Sequence, residues 1–462
     1  MPPVAQGPYL KKIAAEKGEM FTMKFGSTHW VFLNSRRVVR ELLDKRASIY
    51  SSRQSFPMAS QIMSGGYRTL LMPYGDLWRS ERKIMHQILN GTQAKVFEPY
   101  QDIESRTLLY EYLTRPQQWS VANGRYANSV IMSVVFGIRT LLDDTSLTEL
   151  FGVSDEFVKY LAPGSSIVDT LPFLGRIPFL KALQPWRWVG DDLYRRYVKI
   201  YEKQFAKLHQ RRKQGTQKPC FMTEFLDQEK DKDFNTEQIY FIAGTLIEAG
   251  SDTTRISIAE VVAGAALYPD WVQRARKELD DVCGSDAQRL PTFADMSRLP
   301  IIKGAVKESL RWKPSIAETG IPHALIQDDV FEGYRLPAGT VVTYNHWSIS
   351  EDPKEYDQPE RFWPERFVDE HIDDPVKGHV AFGAGRRVCV GNRVAFNNMS
   401  ISIARLVYCF DFVEDPSHPI DVSKPFLANA KTPSFAVKIK VRSPAHEELI
   451  LRECKAAATA QD

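Results

Sequence analysis

Cysteine is scarce in this sequence and widely spread: Cys220, Cys283, Cys389, Cys409 and Cys454 are the only five in 462 residues, with no C-x-x-C pair. An odd number at such spacings argues against a disulfide framework, offers no zinc-ligand pattern and fits a reducing compartment. Long apolar runs are missing as well. No stretch of about 18 apolar residues occurs, so the sequence as given holds neither a membrane-spanning helix nor a secretory signal. Excess charge is also absent. Lys and Arg number 60 against 57 Asp and Glu, and a net +3 is too little to hold a nucleic acid, so any basic partner surface must be a local patch. What the chain does have is apolar material. Hydrophobic residues at 43% beside charged ones at 25% are enough for a sizeable core and too many for disorder.

The densest chemistry lies in Phe382-Gly383-Ala384-Gly385-Arg386-Arg387-Val388-Cys389-Val390-Gly391. The residues from Asn392 to about Phe412 read as a helix with Val394, Met399, Ile403 and Leu406 inward, which places Cys389 just before a helix N-terminus. Backbone N–H groups there predict a thiolate with a depressed pKa, the form that binds metal. Gly383, Gly385 and Gly391 can take dihedrals that a side chain forbids and let the backbone approach a large planar partner. Arg387 offers that partner's acidic group a cation. Alone, Cys389 would fit the ordinary role of a free cysteine, a small buried hydrophobe.

Three further patterns carry chemistry. In Trp78-Arg79-Ser80-Glu81-Arg82 the i, i+4 spacing puts Trp78 and Arg82 on one helix face, where both can donate to a single carboxylate. A long helix, on the order of 50 Å, is expected to start near Asn235-Thr236-Glu237 and end before Pro269. Inside it, Ala249-Gly250-Ser251-Asp252-Thr253-Thr254 predicts a loosened turn, since the side chains after the glycine can bond back to carbonyls. Ile239, Phe241, Ile242, Leu246 and Ile247 bury most of this helix, so Asp252 needs a reason to be there. Glu248, one turn earlier, is expected to reach solvent or a partner. Glu308 and Arg311 at i, i+3 follow the helix start at Leu299-Pro300, and Arg366 lies in Trp363-Pro364-Glu365-Arg366-Phe367.

The remaining pattern is coarser. Residues 8–18 read as a short helix, 20–25 and 29–33 as strands joined at Gly26-Ser27, and Ser35 as the cap of a helix through Val39 and Leu43. Residues 51–75 form an aperiodic loop of a length that is usually functional. Helices between 92 and 214 break at Pro116, Pro163, Pro172, Pro178 and Pro185. Within them, 161–188 is apolar and Pro-rich, with Phe173, Phe179, Trp186 and Trp188: core, substrate roof or membrane-dipping surface. Strands are expected within 331–342, and a strand-turn-strand over 423–441 would put Ala430, Lys431 and Thr432 into a pocket. After Pro444 a charged, Ala-rich tail reads as frayed.

Taken together and in this order, the motifs resemble those of the cytochrome P-450 family. Phe382, Gly385, Arg387, Cys389 and Gly391 fit its F-x-x-G-x-R-x-C-x-G haem-ligand loop, and 249–254 fit A/G-G-x-D/E-T-T. Trp78 and Arg82 fit W-x-x-x-R, while Glu308, Arg311 and Arg366 fit the Glu-Arg-Arg triad. The likeness runs from about Tyr9 to Val441. It implies a mainly α, single-domain cytochrome P-450 fold over 1–462: a large helical domain, a smaller β-rich region drawn from 8–75 and 315–345, and a frayed tail at 443–462. Haem b would lie between the long central helix and the cysteine loop, with residues 51–75 over its distal face and 317–322 along its edge. Cys389 would be the axial ligand of the iron, with Trp78, Arg82 and His323 at the propionates. Asp252 would relay protons and Thr253 would hydrogen-bond the activated oxygen. The triad would be structural.

The resemblance further implies a monooxygenase that hydroxylates, epoxidises or couples a small organic substrate. Its two electrons would come from NADPH through a separate, acidic-faced diflavin reductase docking near Arg79, Lys83 and Arg386. A peroxide-using or ring-coupling relative and, from another class, a haem-binding sensor or carrier without turnover stay open. The wording Ile247-Glu248-Ala249-Gly250-Ser251-Asp252 and the doubled Pro-Glu-Arg-Phe look most like filamentous-fungal members similar to O-methylsterigmatocystin oxidoreductase, which implies secondary-metabolite chemistry. Eukaryotic members usually begin with an anchor and a Pro-rich hinge. This sequence opens at Met1-Pro2-Pro3-Val4, about where the hinge would stand. The N-terminal anchor is therefore expected to be missing from it, and an anchored full-length form is expected at the cytosolic face of the endoplasmic reticulum, with 161–188 open as a peripheral membrane contact.

Overall fold

Apolar residues on both faces of a strand predict a sheet covered on both sides, and residues 30–33 follow that rule, whereas the strand before them exposes Thr22 and Lys24. The computed structural model describes residues 5–460 apart from 27, 143, 145, 162–164, 172, 173, 175–183, 229–233, 317 and 427–431. Helix α1 (Gln6–Lys17) leads into the antiparallel strands β1 (Met20–Phe25) and β2 (Thr28–Leu33). Much later in the chain come β3 (His323–Ala324), β4 (Asp329–Phe331), β5 (Tyr334–Leu336) and β6 (Val341–Tyr344). β2 pairs in parallel with β6, Trp30 opposite Val341, and the sheet order is β1-β2-β6-β3. Trp30 and Phe32 point into the main core and Val31 and Leu33 into a second, smaller one, so the strand separates two apolar layers. This sheet joins an early stretch of the chain, residues 20–33, to a late one, residues 323–344.

The helical body contains α2 (Asp76–Leu89), α3 (Glu98–Thr114), α4 (Trp119–Phe136), α5 (Ser146–Val158), α6 (Pro185–Gln214), α7 (Phe221–Gln228), α8 (Thr236–Leu267), α9 (Pro269–Cys283), α10 (Pro300–Arg311), α11 (Asn392–Cys409) and α12 (Pro444–Thr459). The central α8 starts where a capping box allows it to. Asn235 accepts from Gln238 N and Gln238 Oε1 accepts from Asn235 N, both at 2.8 Å. Its 32 residues span about 48 Å and end one residue before Pro269 opens α9. α8 packs most extensively on α4, and Gly250 explains how closely: a Cβ there would come within 2.5 Å of Ile131 Cγ1. The expected loosening at 249–254 is not seen as a break. Ser251 and Thr253 do donate to the carbonyls of Ile247 and Ala249, both at 2.7 Å, but the turn stays α-helical.

Three expectations about the C-terminal part are corrected. α11 ends at Cys409 rather than near 412, because Phe410 and Phe412 alternate with Asp411 and Val413 and continue as the strand β7 (Phe410–Glu414). Its antiparallel partner is β8 (Val437–Val441), so the strand-turn-strand read over 423–441 reduces, among the described residues, to one strand paired with β7. Ala430 and Lys431 lie outside the described residues, and Thr432 is exposed. The tail is not frayed. Ser443 caps α12 by accepting from His446 N, and His446, Leu449, Ile450, Cys454 and Ala458 form one buried stripe packed on α3. A helical period and Ala-rich composition favour this helix, and a buried apolar stripe outweighs the charges on its other face.

In the stretch read as helices broken by prolines, Pro185 opens α6 and Pro116 opens a 3-10 turn; Pro163, Pro172, Pro178, Phe173 and Phe179 lie outside the described residues. Trp188 is exposed and Trp186 half-buried. No helix among the described residues is long and apolar enough to cross a membrane.

Candidate active site

The cysteine loop is shaped by two glycines. Gly383 and Gly385 sit at φ +81° and +59°, where a side chain is strained, and a Cβ on Gly385 would run into the Leu43 carbonyl oxygen. The Gly385 N–H donates to Asp44 Oδ1 at 2.6 Å, tying the loop to the helical turn before residue 46. Gly391, also expected to need such freedom, has φ −89°, which any residue adopts. Cys389 N donates to Phe382 O at 2.7 Å, and Asn392 Nδ2 to Cys389 O at 2.6 Å, so the half-buried cysteine stands one turn before α11. Its thiol is not depressed as the helix end alone predicts. Burial pushes it up, against the weaker pull of the Gly391 N–H and the Arg82 charge. Desolvation of the anion outweighs the helix terminus, so a cation seated on the sulfur is what would hold the thiolate.

Around this loop stand four donor side chains, Arg387, Arg82, Arg53 and His323. Arg387 donates from Nε to Ser51 O at 2.7 Å and from Nη2 to Met72 O at 2.8 Å, and its guanidinium lies 4.0 Å from the centroid of the buried Trp78 ring. Arg82 donates to the Val388 carbonyl, within the cysteine loop. Arg53 donates to Leu70 O at 3.2 Å and to the carbonyls of Ile321 and Pro322, the latter at 2.9 Å. His323 Nδ1 donates to Tyr50 O at 2.8 Å, which fixes the neutral tautomer with Nε2 as acceptor, and burial and Arg53 hold the ring's pKa well below the usual value. Arg53, Arg82 and Arg387 form no ion pair with a carboxylate among the described residues. Burial, with the neighbouring cations, pushes Arg387 down to about 8 and, with Arg82, Arg53 to about 10.

Three guanidiniums without an anion, two of them buried and that of Arg82 half-buried, are costly unless something anionic joins them. Arg82 Nε is buried without an acceptor, which marks one place for it. The residues present therefore fit haem b, a planar group with two carboxylates, beside a cysteine able to ligate iron. A direct test follows. Arg82→Leu removes an uncompensated half-buried cation, so the cofactor-free protein is expected to unfold at the same temperature or higher, while haem retained after gel filtration falls severalfold. A parallel loss of stability and haem would point to a packing role instead.

The 248–254 turn of α8 carries two further predicted site residues, Asp252 and Thr253. Asp252 is paired: Oδ1 accepts from Arg255 Nε at 2.8 Å and Oδ2 from Ser154 Oγ of α5 at 3.4 Å. Thr253 spends its hydroxyl proton on Ala249 O. Glu248, expected toward solvent or a partner, is instead bound by Arg68 and by the hydroxyl of Tyr201 on α6.

Glu308, Arg311 and Arg366 are brought together in the core. Arg311 donates to Glu308 from Nε and Nη2, each at 2.7 Å, Arg366 Nε reaches Oε1 at 3.2 Å, and Trp363 N adds a bond at 2.8 Å. Arg311 also holds the carbonyls of Ser350 and Pro359. The triad thus fastens α10 to the segment that leads into the cysteine loop.

Sequence reasoning missed Arg53, Arg68 and the partner of Glu81. Glu81 is fully buried, accepts from Thr69 Oγ1 at 2.6 Å, and burial pushes its carboxyl up to about 8. Its position on the Trp78 face was the available signal. The two arginines lie in a stretch without period, where nothing local reveals what they touch.

Comparison with known proteins agrees with this geometry. A family model described as Cytochrome P450 matches residues 6–437. The chain is 36% identical to cytochrome P450 monooxygenase verL of Clonostachys rogersoniana over 95% of its own length and 82% of that protein. It is 31% identical to cytochrome P450 monooxygenase patI of Penicillium expansum, covering 95% and 85%. A zebra fish cytochrome P450 structure with abiraterone superposes with a TM-score of 0.75 at 22% identity, over 95% of this chain and all of that one, a likeness of fold.

Proposed function

The chain belongs to the cytochrome P450 family, and from that premise we propose how its residues carry the activity. The protein is a haem-dependent monooxygenase that oxidises a small organic substrate. The observation that carries the assignment of residues is the set of guanidiniums without a carboxylate beside Cys389. Bound there, haem supplies the reduction of dioxygen and the oxidising equivalent, favoured by electron donation from the thiolate. Cys389 holds the iron, and Phe382, Gly385 and Gly391 shape its loop. Arg82, Trp78, Arg53 and Arg387 hold the carboxylates. A carboxylate at His323 Nε2 would draw a second proton onto that ring, against the present burial.

Asp252 and Thr253 move protons from the α8 side. The Asp252–Arg255 pair and the Ser154 hydroxyl hold the carboxylate at the turn, and the Thr253 hydroxyl is freed for the substrate side by a single rotation about its side chain. Electrons come from NADPH through a diflavin reductase. A docking face is supported by Arg79 and Arg386, which flank the Tyr74 ring at 5.5 and 5.3 Å, with exposed Lys83 beside them. The substrate is a fungal secondary metabolite and the working site the cytosolic face of the endoplasmic reticulum, readings supported by the fungal sources of the relatives.

With a diflavin reductase, NADPH is consumed and an oxygen atom from dioxygen enters the product; a sensor or carrier would consume none. Thr253→Ala is expected to keep haem and substrate affinity but to release more of the consumed NADPH equivalents as hydrogen peroxide, severalfold over the parent. Unchanged coupling of NADPH to product would remove Thr253 from the proton path.

A further inference from the structure

The segment between Ser51 and Met72 rises from the Arg387 guanidinium to α8, and at its top Arg68 is bound in an unusual way. Its side chain is 2% exposed. Nε donates to Ser64 Oγ at 3.0 Å and Nη1 to Glu248, which also accepts from Tyr201. The guanidinium lies over the rings of Phe157, Tyr197 and Phe241, at 3.9, 4.8 and 5.7 Å from their centroids. Nη2 is buried and has no acceptor in good hydrogen-bond geometry; the Tyr197 and Tyr201 hydroxyls are its polar neighbours and make only loose hydrogen bonds to the guanidinium. Tyr201 spends its proton on Glu248 and Tyr197 on Val153 O.

A buried donor left unmade costs as much as a lost hydrogen bond, and it persists where a ligand completes it. Glu248 immediately precedes the 249–254 turn, so this donor stands beside the place where oxygen is used. We propose that Arg68 is the substrate-recognising residue of this enzyme. Its Nη2 takes a neutral oxygen acceptor, the carbonyl of a ketone, lactone or quinone, on an otherwise apolar molecule. Charge decides between a carbonyl and a carboxylate. Glu248 already balances the guanidinium, so a substrate anion would enter with a surplus negative charge in an aromatic box, whereas a carbonyl fills the one open donor without altering the balance. The aromatic rings supply the apolar walls and hold the guanidinium in place. The inference rests on the monooxygenase reading above and names the substrate class for it.

Matched probes test it on the haem-loaded protein: fluorenone against fluorene, anthraquinone against anthracene, acetophenone against ethylbenzene, and fluorene carboxylate, each titrated by the change in haem absorbance. At least one ketone is expected to bind roughly tenfold more tightly than its hydrocarbon parent, and the carboxylate no better than that parent. Arg68→Lys, which keeps the charge opposite Glu248 but loses the planar fork, should shrink the ketone preference severalfold while hydrocarbon affinity stays. The double variant Arg68→Met, Glu248→Gln, which buries no charge, should abolish it. A panel in which no ketone outbinds its parent, or in which the carboxylate binds best, overturns the assignment. So does an unchanged preference in the Lys variant. The thiolate-type absorbance of the reduced CO complex, recorded on every sample, reports separately on the haem reading: its absence in the parent protein would sink that reading instead.

Discussion

Cys389→Ala is expected to abolish the thiolate-type absorbance of the reduced CO complex and all NADPH-dependent product formation, while haem content falls only in part. The reason lies in how the two halves of the site are held. The carboxylate cradle of Arg53, Arg82 and Arg387 is anchored to backbone carbonyls at Ser51, Leu70, Met72, Ile321, Pro322 and Val388, none of which depends on the sulfur. The loop conformation depends on Gly385 packed on Leu43 and on the Cys389 N to Phe382 O bond, which alanine keeps. What alanine removes is the ligand alone. Cys220, Cys283, Cys409 and Cys454 are all buried and none lies in the loop from Phe382 to Gly391 beside the guanidiniums, so none is a ready substitute. Their single replacement by alanine should leave the spectrum in place. Retention of the thiolate signature in Cys389→Ala would overturn the assignment of the iron ligand.

Glu308→Gln is expected to cost about 3 to 5 kcal/mol, a large share of a typical domain's stability of about 5 to 15 kcal/mol. Glu308 and Arg311 are fully buried and Arg366 nearly so. The amide keeps the volume and one acceptor oxygen but discharges the carboxylate that both guanidiniums bond, leaving two desolvated cations side by side. Loss should therefore appear as a lower denaturation midpoint and poor haem loading together, since the same residues hold Ser350, Pro359 and Trp363 on the way to Cys389. Arg366→Lys keeps a cation there and should cost less. A Glu308→Gln protein with the parent's midpoint and haem content would show that the triad carries no load in this fold.

Much of this arrangement could be read from the chain because the decisive signals are local. The start of α8 is a reciprocal Asn235–Gln238 cap and its end a proline, both visible over four residues. The cysteine loop declares itself by glycines whose positive φ is needed at Gly383 and Gly385. The pairing of Glu308 with Arg311 follows from helical spacing, although that of either with Arg366 does not. What stayed hidden depends on contacts across the chain. Arg53 meets carbonyls about 270 positions away, and Arg68 meets Glu248 at a separation of 180. No periodicity encodes such meetings. The C-terminal helix is a different case: its stripe of His446, Leu449, Ile450 and Cys454 is present in the sequence, but the charged residues between them give the stretch the composition of a frayed end. The raised thiol of Cys389 is illegible for a third reason: a helix end is visible in sequence, and the desolvation of a side chain is not.

The double grip of Arg387 on Ser51 and Met72 has a bearing on how such an enzyme can change over generations. One guanidinium clasps both ends of the intervening segment, so the segment behaves as a cassette: its base is fixed next to the cysteine loop and its tip alone meets α6 and α8. With the ends already held together, lengthening the segment where it is exposed, at Gln61 and Gly65, adds a closure cost of only about 0.6 kcal/mol for each doubling, whereas Met58, Ala59, Met63 and Ser64 are packed in the interior. Changes at those two exposed positions are expected to accumulate and to alter which molecules are accepted while leaving the Cys389 loop in place. Appetite and chemistry are inherited separately, and swapping this cassette between relatives is the economical route to a new substrate.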